Sequence, residues 1–116
     1  MKRNILLIIT LVSVFAFAFA PLPTSLRIEV RNELGNLEES VSVTIYRSKA
    51  DYDKEVNPVQ PTALTDKKGR VTFKDIPARV YHVNAIKGDM DNYGAGVATN
   101  KLEEGKLNKV TIIISE

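Results

Sequence analysis

The sequence predicts an all-β fold, an antiparallel β-sandwich of about seven short strands behind an apolar leader. Three observations lead there. Short runs of alternating apolar and polar residues recur along the chain, turn-forming residues separate them every 8 to 12 residues or so, and no stretch after the leader carries an apolar face of helical length.

The leader comes first. "MKRN" is basic, "ILLIITLVSVFAFAFA" is apolar apart from Thr10 and Ser13, and small residues recur at Ala16, Ala18 and Ala20. This layout predicts a secretory signal peptide over residues 1–20. Cleavage after Ala20 fits the A-x-A pattern but leaves Pro21 next to the cut, and cleavage after Ala18 is the alternative. An uncleaved anchor is the competing reading and the only expected link to a membrane. At about 1.5 Å per residue, Ile5 to Ala20 spans roughly 24 Å, short of a hydrocarbon core of ~30 Å. The expected address is therefore outside the cytoplasm, in the periplasm or at the cell surface or beyond. The chain has no cysteine, which rules out both a lipoprotein anchor and a disulfide.

A short tether over 21–25, "PLPTS", leads into a single domain over 26–116. "LRIEV" alternates Leu26, Ile28 and Val30 with Arg27 and Glu29 as a half-buried strand does, and "NELGN" turns the chain. "VSVTIYRS" repeats the pattern, with Val41, Val43 and Ile45 on one face and Ser42, Thr44 and Tyr46 on the other. "KADYDKEVNPVQP", residues 49–61, has neither period and is expected to be a loop. "TALT", "RVTFK" and "VYHVNAIK" are the next strands. The loop "GDMDNYGAG" then leads to a brief strand "VAT", and "NKLEEGKLN" precedes the last strand, "KVTIIIS". Its three consecutive isoleucines make both faces apolar, which suits burial inside a sheet; the alternative is an edge open to another chain.

"TDKKGRVTFKDIPARVY", residues 65–81, reads as a corner between two sheets. Asp66 is placed to accept backbone N–H groups across the turn, Gly69 supplies a positive φ, and Phe73 points inward with Val71. Ile76-Pro77 ends that strand, because proline cannot donate to a ladder. Tyr81 follows with a ring large enough to fill the sandwich edge and a hydroxyl able to reach backbone.

In "LRIEVRNELGN…VSVTIYRS…TDKKGRVTFKDIPARVYHVNAIKG" the chain resembles the bacterial carboxypeptidase-regulatory-like and Cna-B-like domains of the transthyretin-like group. The resemblance spans residues 25–115. It implies a seven-stranded antiparallel Greek-key sandwich and, for function, a module of exported proteins. Arg79 stands where those domains usually have a glycine after Pro-Ala. Many Cna-B-like domains carry a Lys–Asn isopeptide bond. Here Arg27, Glu29 and Arg31 occupy the strand that would supply the lysine, and Ala85 stands where the assisting glutamate would be, so no such bond is expected. A hydrolase of the transthyretin-related kind would need several histidines, whereas this chain has one and ends "TIIISE".

Composition narrows function further. Lys2 and Arg3 account for the net charge of +2, and no basic run exceeds Lys67-Lys68, so nucleic acid is not an expected partner. His82 has no orienting acid or nucleophile nominated beside it, and a single histidine without cysteine gives no zinc or redox-metal ligand set. Neither a cofactor nor a catalytic set is expected. Asp89, Asp91 and Asn92 offer oxygen ligands of the kind calcium takes, but match only the start of an EF-hand loop; a polar turn is the alternative. Tyr52 and Tyr93 sit in the two long loops, where they would either anchor a partner or pack over the sandwich end. The binding candidates are thus Tyr52, Asp89, Asp91 and Tyr93. The expected role is a non-catalytic interaction or structural module at the bacterial envelope, with an envelope protein or glycan as partner. A carbohydrate-binding module is the alternative if both tyrosines lie exposed on one side.

Overall fold

A computed structural model describes residues 22–116; the leader expected at 1–20 lies outside them. Alternation decides the first strand. β1 (Ser25–Asn32) buries Leu26, Ile28 and Val30 completely and turns Arg27, Glu29 and Arg31 outward. Each of those three side chains contributes roughly 1.5 to 3 kcal/mol on burial, an upper figure because the unfolded chain already hides some apolar surface. The strand starts at Ser25, and Thr24 before it is buried, accepting the Ile76 N–H on its carbonyl and the Gly105 N–H on its hydroxyl.

The other elements are β2 (Ser42–Tyr46), helix α1 (Lys49–Lys54), β3 (Ala63–Leu64), β4 (Arg70–Phe73), β5 (His82–Lys87), β6 (Met90–Asp91) and β7 (Leu107–Ile114). They form a three-stranded sheet in the order β4-β1-β7 and a four-stranded sheet in the order β3-β2-β5-β6. The two sheets face each other across one core, consistent with an all-β sandwich. Leu26, Ile28, Phe73 and Ile114 enter it from the first sheet, and Val43, Ile45, Val83 and Ala85 from the second.

Four differences from the sequence reading have physical causes. First, β7 runs parallel to β1, with Ser25 opposite Leu107 and Asn32 opposite Ile114, so the sheets are not wholly antiparallel. The 93–106 connection carries the chain back to the starting end of β1 before β7 begins. Second, β7 lies at the edge of its sheet and not inside it; Ile114 is fully buried, while Ile112 and Ile113 are only partly so. Third, the pairing expected at 97–99 is reduced to an isolated bridge between Ala98 and His82, and Met90–Asp91 pairs with β5 instead. Fourth, the 49–61 loop contains α1. Ser48 caps it by accepting the Asp51 N–H, and Glu55 ends it at φ 53°. The helix lies over the four-stranded sheet, and the chain beyond it returns across the same face, where the Thr62 and Thr44 hydroxyls meet. Thr44 and Tyr46, on the face opposite Val43 and Ile45, are buried against this neighbour.

The stretch 65–81 crosses between the sheets twice, from β3 to β4 through the Asp66 turn and from β4 back to β5 through Ile76-Pro77. Asp66 Oδ1 accepts the N–H groups of Lys68 and Arg70, and Tyr81, wholly buried, donates its hydroxyl to the Pro77 carbonyl. Arg79 donates to the Arg47 carbonyl at 3.0 Å.

Gly69 has φ +71°, and a Cβ there would stand 2.8 Å from the Val30 carbonyl oxygen. Gly69→Ala is therefore expected to cost about 2 kcal/mol, from left-handed strain and displaced β1 backbone. Chemical denaturation checks this; an unchanged midpoint would contradict it.

Three carboxylates are held below their usual range. Glu29 is held by the Arg31 hydrogen bond and then Arg70, Glu38 by Lys87 and then Asn32, and Asp66 by the backbone N–H groups of Arg70 and Lys68. Groups depressed in the folded state stabilise fully above their unfolded values, ordinarily 4.5 for glutamate and 3.8 for aspartate, and lose that contribution as pH falls through the folded values. Stability should be flat through neutrality and decline below about pH 4.5. Denaturant midpoints measured at about pH 7 and about pH 3 test the sign, and equal midpoints would refute it.

Candidate functional site

On the outer side of the four-stranded sheet, α1 and the 91–93 segment rise on either side of β5. Between them lies a groove of about 280 Å³, with Tyr52, Asp53 and Glu55 on one wall, Asp91 and Tyr93 on the other, and Asn84 and Ile86 of β5 as floor. The floor follows from period two: Val83 and Ala85 are buried inward, so Asn84 and Ile86 face out.

Each wall is held by different chemistry. Tyr52 is half-buried; its ring meets Tyr46 edge-on at 6.0 Å and lies 6.4 Å from His82. Tyr93 is 76% exposed, and its backbone N–H is held by Asp91 Oδ1 at 3.0 Å. Behind it Asn92 is 1% exposed and acts as a substitute strand. Its Oδ1 accepts the Ala85 N–H, and its amide donates to the Val83 and Gly96 carbonyls. Asp91 itself exchanges two backbone hydrogen bonds with Ser115, which joins this wall to the end of β7.

The groove is acidic and aromatic. Asp53, Glu55 and Asp91 line it and no lysine or arginine does; Lys49, one turn from Asp53, pairs with it at 2.8 Å from outside the lining. Burial first, then the nearby charge of Asp91, raises the Tyr52 phenol above its ordinary value, and burial with Glu55 does the same to Tyr46. Tyr52 thus stays a protonated donor beside carboxylate acceptors at neutral pH. The site can stack a ring or a cation on Tyr93 and hydrogen-bond hydroxyl or amino groups below it.

Of the four binding candidates taken from sequence, Tyr52, Asp91 and Tyr93 line this groove. Asp89 does not; it lies exposed in the turn between β5 and β6. Asn92, considered as a calcium ligand, has its side-chain oxygen committed to Ala85. Among the described residues no three His, Cys, Asp or Glu side chains are gathered as a metal ion requires. His82 is partly covered, on the outward face of β5 beside Tyr52, and its Nδ1 is buried without a hydrogen-bond partner. Sequence reasoning missed Asp53, Glu55 and Asn84. Asp53 and Glu55 sit in the 49–61 segment read as loop, and a helical reading from the Ser48 cap would have grouped them with Tyr52.

Because Asn92 satisfies one N–H and two carbonyls, Asn92→Ala should cost about 3 kcal/mol, since unpaired buried backbone groups lose their solvation without return. Thermal unfolding tests it; a loss within about 0.5 kcal/mol, the scatter of surface substitutions, would overturn the clamp assignment. Compared with models of known protein families and with curated protein sequences, the chain matches none.

Proposed function

We propose that the protein is an exported, non-catalytic binding module of the bacterial cell envelope, and that its contact surface is the Tyr52–Tyr93 groove. In this reading the domain is a seven-stranded Greek-key sandwich of the transthyretin-like group, acting outside the cytoplasm on an envelope protein or glycan. One observation carries the functional part: two tyrosines 41 positions apart in sequence meet across a single groove whose other walls are carboxylates and amides. The lining holds no histidine, serine or lysine, so it offers no Ser-His or Lys nucleophile; its ionisable groups are the carboxylates Asp53, Glu55 and Asp91 and the two tyrosines. The leader motif supports export, and the corner at 65–81, with its sheet-to-sheet crossing and Tyr81 hydroxyl bond, supports the family reading.

A specific observation favours carbohydrate as the second reading. Both tyrosines lie on one groove, but only Tyr93 presents an exposed ring, Tyr52 being half-buried against Tyr46; Asp91, Asn84 and Glu55 are hydroxyl acceptors within that lining. Aromatic stacking with flanking acids suits a sugar ring.

The test is retention of envelope proteins and glycans from the source cell, compared between wild type and a Tyr52→Ala, Tyr93→Ala double variant. A groove-dependent ligand should lose at least about tenfold in affinity in the variant, since each anchor removed is worth roughly 1 to 2 kcal/mol. Equal retention by both proteins would displace the site from the groove, and release of new reducing ends from a retained glycan would overturn the non-catalytic reading.

A further inference from the structure

The folded chain carries a patch of cationic side chains on the outer face of one sheet and the acidic groove on the outer face of the other. On the outer face of the three-stranded sheet, the register sets Lys109 and Thr72 on either side of Arg27, and Arg70 beside Glu29. Glu29 is shared between Arg31 at 2.9 Å and Arg70 at 3.2 Å. Arg27 and Lys109 therefore have no carboxylate partner among the described residues, and with Arg70 and Glu29 they line a shallow hollow of about 210 Å³, three cations to one acid. The acidic groove lies on the outside of the other sheet. Since Lys2 and Arg3 account for the net charge, the rest of the chain is neutral, and these faces are a separation of charge, not an excess of either sign.

We propose that a second copy of this chain is a partner of the groove: the Arg27–Lys109 face of one molecule docks against the Tyr93 and Glu55 groove of the next. This rests on the reading of the groove as a contact surface. Charge complementarity selects this orientation. Groove against groove and basic face against basic face both oppose like charges, whereas groove against basic face pairs carboxylates with Arg27 and Lys109 and offers Tyr93 to a guanidinium or ammonium group. The two surfaces differ, so the contact is heterologous and propagates head to tail unless its rotation closes a ring. Exposed ion pairs are individually weak and screened by salt, so the assembly is reversible and forms at high local concentration.

Sedimentation equilibrium of the purified protein across a concentration series tests this. The average mass should rise with concentration at about 0.01 M salt and return to monomer at about 1 M, where screening reaches about 3 Å. Arg27→Glu with Lys109→Glu should abolish the rise, as should Asp53→Lys with Glu55→Lys, and the protein carrying all four changes should recover it because the charges are again complementary. A wild type that stays monomeric at low salt, association that survives either reversal, or four changes without recovery would overturn the proposal. The Arg27→Glu, Lys109→Glu protein has an intact groove. If this protein retains an envelope ligand while the wild type stays monomeric at low salt, the groove reading stands and self-docking falls; if it and the wild type retain nothing, the groove reading fails on its own test.

Discussion

The corner between Ile76 and Tyr81 is the constraint on which the two-sheet arrangement depends. β4 ends at Phe73; Ile76 still gives its N–H to the Thr24 carbonyl, but Pro77 has no N–H to continue, and the chain crosses to the other sheet. The crossing would be loose if its backbone were left to water. Tyr81 prevents this by burying its whole ring in the core and tying its hydroxyl to the carbonyl of Pro77, so apolar burial and one hydrogen bond fix the same turn. β5 then starts in a fixed direction. Its inward residues complete the core, and its outward residues become the groove floor.

Given that floor, the groove needs two walls, and neither comes from strand pairing alone. Six residues are too few to hold a helix by propensity, so α1 relies on its Ser48 cap and on Tyr52 packing over Tyr46. The opposite wall relies on Asn92, whose side chain performs the hydrogen bonding that a longer β6 would otherwise have supplied to β5. Stability and exposure are linked through this residue. By placing its own side chain inward, Asn92 leaves the next one, Tyr93, outside and accessible.

Legibility in the sequence tracks how local each determinant is. β1, β2, β4 and β5 could be read because period-two alternation is written within each strand, and Asp66 and Gly69 because turn chemistry spans only four residues. The parallel partnership of β7 with β1 could not, since periodicity says which residues face inward but not which strand lies alongside. That Tyr46 and Thr44 meet a neighbour and not water was not legible for a related reason: the cover over them comes from the Lys49–Thr62 stretch, through contacts that no single strand encodes. At the site, the tyrosines were visible as aromatics in loops. Their juxtaposition was not, because it depends on α1 and on the Asn92 clamp. Asp89 and Asp91 look equivalent in sequence, yet the hairpin between β5 and β6 leaves one in the turn and places the other on the strand beside the groove.

The same sheet geometry that builds the core also sorts the charges. In a sandwich each sheet turns one face away from the core, and the two sheets turn those faces in opposite directions, so a bias in outward residues between the sheets sets patches of opposite sign on opposite sides. Here Arg27, Arg31 and Arg70 meet a single acid, Glu29, on one side, while α1 and β6 bring Asp53, Glu55 and Asp91 together on the other. Exposed pairs of this kind add little to stability, and the buried alternation would hold the fold with other outward residues. Their arrangement bears instead on what the two faces attract. A neutral domain with opposite faces of opposite sign has no long-range preference for anionic or cationic surfaces as a whole, and acquires one only at contact distance, where orientation decides the outcome.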